Sequence, residues 1–393
     1  MRWGLRFGVV AAGIAGGLLA CQVLVGIEDD PGVERFPPQP EAATVDASPD
    51  VDPCPHAGPP GEPDSGASSP ESKVVLAVRK VRLGGFPDLP QAFDFDKTCS
   101  CENRDQRLPN QPQTSCKQEG DPCAPGNPTD DPQGRDLGAV NAFRGASFVL
   151  GQLEQTTVNP YFELGRAGAL LRIEGYNETP NDRRVVVTVL PSRGIQEPAN
   201  GGPIRSVETA CATLEPDPSG RPRWSSTLDA GPDAALDRWY SSGSGEATGS
   251  VGYVTDGQVI VNGAKTAYEI PFGGFSLRQT NSIFVANIRR GANGRWTLRG
   301  NIVGLVSAAK LLEVIGQLPV NGGLLCEGGA GVAVADFVCR ARDLLESSDD
   351  PTKPCDAVAL AIGVEAEEAA IGDGALCQVE AGIDPSCALR CDK

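Results

Sequence analysis

Residues 282–306, SIFVANIRRGANGRWTLRGNIVGLV, contain two runs of a kind that recurs along this chain. Residues 282–288 and 296–306 are rich in β-branched and other apolar side chains, and glycine and asparagine separate them. Short apolar runs bounded by turn-forming residues are typical of β-strands. Residues 282–288 and 296–306 are therefore predicted to form two β-strands.

Similar short runs occur before and after this stretch, and they predict further strands at residues 73–81, 146–150, 169–175, 184–190, 251–254, 259–261, 267–270 and 358–364. Asn262-Gly263 is a pair that favours a tight turn, because both residues tolerate positive φ. Two segments, 307–317 and 332–346, carry apolar residues at helical spacing. Many short strands without alternating long helices predict a mainly β fold, an antiparallel sandwich or jelly-roll-like domain with a few helices.

The first residues have the pattern of a secretion signal. Arg2 and Arg6 make the start positive, and residues 7–20 are uncharged, small and apolar. A membrane-spanning helix needs about 20 apolar residues, so this stretch is too short to span a bilayer. We therefore expect residues 1–20 to be a signal peptide.

The signal ends in Leu18-Leu19-Ala20-Cys21, which resembles the lipobox of bacterial lipoproteins. The resemblance implies cleavage before Cys21, diacylglycerol on its sulfur and a further acyl chain, such as palmitate, on its amino group. Two or more acyl chains anchor a protein stably in a membrane, so the implied partner is a lipid bilayer in the cell envelope. Gln22 occupies the position where aspartate favours inner-membrane retention, and the resemblance therefore favours the outer membrane.

Residues 21–72, called the linker below, differ in composition from the rest of the chain. From residue 28 to residue 72 there are 11 prolines, 11 acidic residues and one basic residue, Arg35. Such a segment buries too little apolar surface to offset the entropy of ordering, so the sequence predicts an extended, disordered tether. It is similar in composition to spacers of many uncharacterised lipoproteins of high-GC Gram-negative bacteria. Residues 73–393 are then the globular domain.

The chain has 13 cysteines, and lipidation of Cys21 leaves an even number. Export places them in an oxidising compartment, where we expect up to six disulfides stapling the loops, with a connectivity that spacing does not reveal. The cysteines concerned are Cys54, Cys99, Cys101, Cys116, Cys123, Cys211, Cys326, Cys339, Cys355, Cys377, Cys387 and Cys391. The spacings around Cys99 and Cys116 do not match the usual zinc ligand pairs, so disulfides are preferred over a zinc site there.

The charge of the chain argues against nucleic acid as a partner. The formal net charge is -17, and loss of Arg2 and Arg6 with the signal peptide makes the mature chain more acidic still. An acidic surface repels phosphate backbones. It is compatible with divalent cations and equally with plain solubility.

The only histidine is His56, which falls in the linker, so the sequence predicts a folded domain without an imidazole. Serine–histidine and cysteine–histidine catalysis would then be excluded. Ser307-Ala308-Ala309-Lys310 matches the S-x-x-K motif of some serine hydrolases. Its supporting motifs are missing or out of order, and a helix start with a solvated lysine is the preferred interpretation.

Acidic residues around Cys99 suggest a calcium site. The candidate ligands all carry side-chain oxygens in a stretch that reads as loop, and they are Asp94, Asp96, Asp130, Asp131, Asp136 and Asn141. Calcium takes six to eight oxygen ligands from flexible loops. The EF-hand pattern is absent, so calcium is one hypothesis and a plain acidic loop is the other; no further cofactor is expected.

Two adjacent aromatic residues, Trp239 and Tyr240, precede a Ser/Gly-rich loop and are the candidates for a ligand-binding platform. These features together predict a non-enzymatic binding or envelope-structural module on a tether. A carbohydrate-active hydrolase that uses paired carboxylates, which needs no histidine, is the alternative. No catalytic residue can be named from the sequence.

Overall fold

Strands dominate the part of the chain that the structure describes. The structure is a computed structural model, and it describes residues 56–66, 72–97, 115–117, 135–140, 151, 154–163, 168–192, 195–197, 236–239, 249–264, 268–272, 275–320, 323–347, 350–371, 387 and 389–391. All of them belong to one compact unit, residues 52–393.

The strands with defined bounds are β1 (Lys73–Leu83), β2 (Cys116–Lys117), β3 (Gly168–Glu174), β4 (Asp182–Ser192), β5 (Ile195–Glu197), β6 (Arg238–Trp239), β7 (Ser250–Thr255), β8 (Gln258–Ala264), β9 (Tyr268–Phe272), β10 (Phe275–Arg290), β11 (Trp296–Ser307), β12 (Pro319–Val320), β13 (Gly323–Leu324), β14 (Asp350–Pro354), β15 (Ala357–Glu368) and β16 (Ala370–Ile371). Among the described residues, the α-helices with defined bounds are α1 (Asn159–Glu163), α2 (Ala308–Gly316) and α3 (Gly329–Arg340). A π-helical turn (Glu154–Val158) precedes α1, and a 3₁₀ turn (Leu325–Glu327) precedes α3.

Eight strands form a closed antiparallel sheet. Their order is β11-β15-β1-β3-β4-β7-β8-β10, and β10 also pairs with β11, which joins the two ends. β9 adds to the sheet by pairing with the first residues of β10. A closed sheet leaves these eight strands without an unpaired edge, which removes a route to aggregation.

Side chains of the sheet alternate between two separate hydrophobic clusters. In β10, Phe284, Ala286 and Ile288 belong to the largest cluster, whereas Ile283 and Val285 belong to another. This two-residue period follows from strand geometry, in which successive side chains point to opposite faces. We call the face of the larger cluster the inner face and the other the outer face.

Helix α2 fills the inner face. Its Leu311, Leu312, Val314 and Ile315 are buried in the same cluster as the inward residues of the strands. Burying four large aliphatic side chains is worth roughly 1.5–3 kcal/mol each. The helix is therefore held by its packing against the sheet.

Segments outside the sheet cover its outer face. Phe93 packs there with Ile260 and Val285. Residues 56–66, which the sequence analysis assigns to the linker, also lie against the domain: the hydroxyl of Tyr253 donates a hydrogen bond to the carbonyl of Pro60. The prediction of an imidazole-free domain is wrong, because His56 belongs to this packed segment; its tertiary contacts outweigh the linker-like composition.

The predicted strands are largely confirmed, but the turn predicted at Asn262-Gly263 is wrong. Asn262-Gly263 lies within β8, not at a turn. The tight turn joins β7 to β8 at Asp256 and Gly257, whose φ angles are 49° and 78°. These positive angles match a two-residue hairpin, which favours aspartate followed by glycine. The predicted strand at residues 146–150 lies outside the described residues.

The last of the predicted strands has a neighbour on both sides in the sheet, although it comes late in the sequence. Residues 358–364 form the middle of β15, which lies between β1 and β11. Nine of its twelve residues are buried, and eight of them follow one another from Ala357 to Val364. A strand covered on both faces reads as a continuous apolar run, which this one does.

The second predicted helix begins and ends earlier than the sequence suggests. It runs over Gly329–Arg340, whereas the apolar spacing predicts a helix over residues 332–346. Leu344 lies beyond it and exchanges backbone hydrogen bonds with Ala357 at the start of β15. Because residue 344 pairs with a strand, it cannot be helical. The helix therefore ends before the apolar pattern does.

The mainly β, antiparallel class with a few helices is confirmed. The two facing sheets of a sandwich or jelly roll are not confirmed, because the strands join in one ring. Three disulfides support the oxidised state: Cys116–Cys355, Cys326–Cys387 and Cys339–Cys391, with Cα–Cα distances of 5.2–5.4 Å. The other six predicted partners, Cys54, Cys99, Cys101, Cys123, Cys211 and Cys377, lie outside the described residues, as does Cys21.

Within the described ranges, helices fall short of the length and hydrophobicity that a membrane span requires.

Candidate metal centre

Three carboxylates meet on the outside of the sheet. The chain leaves β1, folds back, and places Phe93 and Phe95 edge-to-face with their ring centroids 6.5 Å apart. Both rings pack against the outer face, so they fix the backbone of the intervening Asp94. A site that rests on a rigid sheet holds its ligands more precisely than a free loop does.

Backbone hydrogen bonds join three separate segments at this point. The N–H of Asp94 donates to the carbonyl of Ala57 at 3.0 Å, and the N–H of Asp136 donates to the carbonyl of Phe93 at 3.1 Å. The Oδ2 atom of Asp136 accepts a hydrogen bond from the N–H of Phe95 at 2.8 Å. Residues 56–57, 93–96 and 135–136 therefore form one layer.

The carboxylates of Asp94, Asp96 and Asp136, called the carboxylate cluster below, come within reach of one ion. One oxygen from each lies within 4.8 Å of the other two. Asp94 is 3% exposed and Asp136 is 0% exposed, whereas Asp96 is half-buried. Oxygen donors at this spacing suit a hard divalent cation.

The imidazole of His56 lies beside the cluster, although the sequence places this residue in the linker. Its Nδ1 atom hydrogen-bonds the Oδ2 atom of Asp94. The other oxygen of that carboxylate, Oδ1, is buried, and no described residue supplies it with a hydrogen-bond donor. No sequence signal pointed to this contact, because residues 56 and 94 meet only through the folding of the chain.

Half of the predicted calcium ligands are brought together. Asp94, Asp96 and Asp136 converge, although residue 136 is far from the other two in sequence. Asp130, Asp131 and Asn141 lie outside the described residues. The Nζ atom of Lys97 is also close, and it donates to the backbone carbonyl of Asp94 at 3.2 Å.

The aromatic ligand platform is a wrong prediction at Trp239. This side chain is 0% exposed and packs with Leu170 and Leu190. The guanidinium carbon of Arg79 lies 4.8 Å from the ring centroid, a cation–π contact that covers the ring further. Tyr240 lies outside the described residues.

The S-x-x-K motif forms a helix start, as preferred in the sequence analysis. Ser307 precedes α2, and the Nζ atom of Lys310 pairs with Glu313 at 3.1 Å on its exposed side. This contact gives the lysine an ordinary surface ion pair. It does not direct the ammonium group towards the serine hydroxyl.

Glu154, in the π-helical turn, is a half-buried carboxyl group whose surroundings shift its pKa. Burial raises its pKa above the usual range, and the hydrogen bond that Oε1 accepts from the N–H of Leu83, 2.6 Å long, lowers it in part. A raised pKa marks candidate general acids but also buried structural groups. Here the carboxylate caps the end of β1.

No protein-family model matches the chain, and no match was found among the curated proteins or the solved structures.

Proposed function

We propose that this chain is a membrane-anchored extracytoplasmic lipoprotein that serves binding or envelope organisation without catalysis. The observation that carries the proposal is the lipobox, residues 18–21, at the end of a short positive-then-apolar signal. Acylation of Cys21 would hold the mature chain in the membrane, with the outer membrane favoured by Gln22.

The disulfides support an extracytoplasmic location. Three disulfides join distant parts of the domain, the longest across 239 residues of sequence. Structural disulfides persist in oxidising compartments outside the cytosol. A route of export therefore accounts for both the leader and the cross-links.

The packing of the domain supports partner binding at its outer layer and loops, not inside the closed sheet. Helix α2 occupies the inner face of the closed sheet, so a partner would contact the outer layer and the loops. The carboxylate cluster gives little support to the hydrolase alternative, because Asp94 and Asp136 are buried. A glycosidase must place its two carboxyl groups on either side of a bound sugar.

Membrane fractionation tests the anchor. The Cys21→Ser variant should move from the membrane fraction to the soluble extracytoplasmic fraction, because it cannot form the thioether to glyceride. Gln22→Ala keeps the cysteine and is the matched control, so it should stay with the membrane. Membrane retention of Cys21→Ser would refute the proposal.

A further inference from the structure

We propose that the carboxylate cluster binds one calcium ion, which fastens residues 56–57 and 135–136 to the outer layer of the domain. The ion would be held by oxygens of Asp94, Asp96 and Asp136. The proposal does not depend on lipidation, since it concerns contacts within residues 56–136.

Burial is the first argument. Two of the three carboxylates are inaccessible to solvent, and the side chain of Asp94 is 0% exposed. Buried charges are retained in proteins when they are paired, hydrogen-bonded or bound to a metal. Like charges this close also repel one another, and a cation between the three carboxylates would offset that repulsion in addition to the contact that His56 makes with Asp94.

The second argument is the oxygen that has no donor. Asp94 Oδ2 bonds to His56, but Asp94 Oδ1 is buried without a donor among the described residues. Burying a carboxylate oxygen without a hydrogen-bond donor costs free energy, because its hydration is lost. Coordination to a cation would offset that cost. The bond from His56 meanwhile fixes the orientation of the carboxylate, as hydrogen bonds to metal ligands commonly do.

Donor type favours calcium. The three carboxylates place one oxygen each within 4.8 Å of the other two, all supplied by the protein. Calcium accepts six to eight oxygens in a flexible geometry, whereas magnesium demands a near-ideal octahedron, keeps several waters and usually takes only one or two carboxylates. Zinc favours cysteine and histidine ligands, whereas the three side chains that converge are carboxylates and the Nδ1 atom of the neighbouring His56 is engaged with Asp94.

Calcium titration of the full mature chain, purified with its disulfides intact, tests the proposal. We expect isothermal calorimetry to find one ion per chain with a dissociation constant of roughly 0.1–1 mM, as for extracellular calcium modules. Asp96→Asn should weaken binding at least tenfold. Asp96 is half-buried, so this variant keeps the fold and its circular dichroism spectrum.

Asp256→Asn is the matched control, because it removes one carboxylate at an exposed turn outside the cluster. It should bind calcium as the unmodified chain does. The proposal is overturned by absence of binding up to about 10 mM calcium, by equal affinity for magnesium, or by unchanged binding in folded Asp96→Asn.

Hydrogen exchange tests the fastening itself. Saturating calcium should slow amide exchange in residues 56–66 and 135–140, whereas α3 serves as the internal reference and should not change. Uniform slowing across the domain, or none in these two segments, would contradict a local role. Both results are readable whether or not Cys21 is acylated.

Discussion

Asn301 and Phe86 exchange two hydrogen bonds. The Oδ1 atom of Asn301 accepts from the N–H of Phe86 at 2.8 Å, and its Nδ2 atom donates to the carbonyl of the same residue at 3.1 Å. A further bond from Nδ2 reaches the carbonyl of Pro90 at 2.9 Å. One buried amide on β11 thus holds the segment that leads to the carboxylate cluster.

Replacing this amide should destabilise the domain. Asn301→Leu preserves size but leaves buried backbone groups of residues 86 and 90 without partners, at a loss of about 2–4 kcal/mol. Urea unfolding measures the change. Asn262→Leu, at an exposed position of β8, should stay within about 0.5 kcal/mol. Equal stability of the two variants would contradict the role given to Asn301.

Trp239 should behave as a core residue. Trp239→Ala leaves a large cavity next to Leu170 and should lower the free energy of unfolding by about 3–5 kcal/mol. Val251→Ala is the control, because Val251 is 58% exposed. Denaturant unfolding measures both variants. A negligible effect of Trp239→Ala would contradict its burial in the core and favour the exposed aromatic platform that the sequence predicts.

The disulfide between Cys339 and Cys391 should stabilise the C-terminal contacts. It joins α3 to the tail across 52 residues of sequence, and a loop of that length corresponds to about 2–4 kcal/mol of stability. The double variant Cys339→Ser/Cys391→Ser should unfold at lower denaturant and lose amide protection around Leu389. The Cys116→Ser/Cys355→Ser pair should leave that protection in place, and loss of it in both pairs would argue against a local effect.

Glu154 should make stability depend on pH. Because burial raises its folded pKa above the unfolded value of about 4.5, its stabilising effect is complete below that value and is lost as pH rises through the folded pKa. Glu154→Gln, which keeps an acceptor for Leu83, should therefore melt at a higher temperature than the unmodified chain at pH 7. The difference should vanish near pH 4. A lower Tm for the variant at pH 7 would reverse the sign and refute the account.

Local pattern was enough to predict the strands, but not their neighbours. The run at residues 358–364 is visible as an apolar segment, yet nothing local says that it pairs with β1 on one side and β11 on the other. Closure depends on β10 pairing with β11 as well as with β8. Such pairings between distant residues cannot be derived from two-residue periodicity.

The carboxylate cluster shows the same limit. Asp94 and Asp96 are two residues apart, so their proximity follows from the sequence alone. Asp136 joins them through two tertiary hydrogen bonds, from its backbone N–H to the carbonyl of Phe93 and from the N–H of Phe95 to its carboxylate. His56 belongs to a proline-rich segment whose composition predicts disorder, so its contact with Asp94 could not be predicted. Oxygen-donor chemistry was therefore predictable, and the shape of the site was not.

Mass spectrometry of the N-terminal peptide of the native protein tests the central claim most directly. The account predicts a chain that begins at Cys21, with a diacylglyceryl thioether on its sulfur and an acyl group on its amino nitrogen. A chain that retains residues 1–20 and carries an unmodified cysteine at position 21 would contradict it.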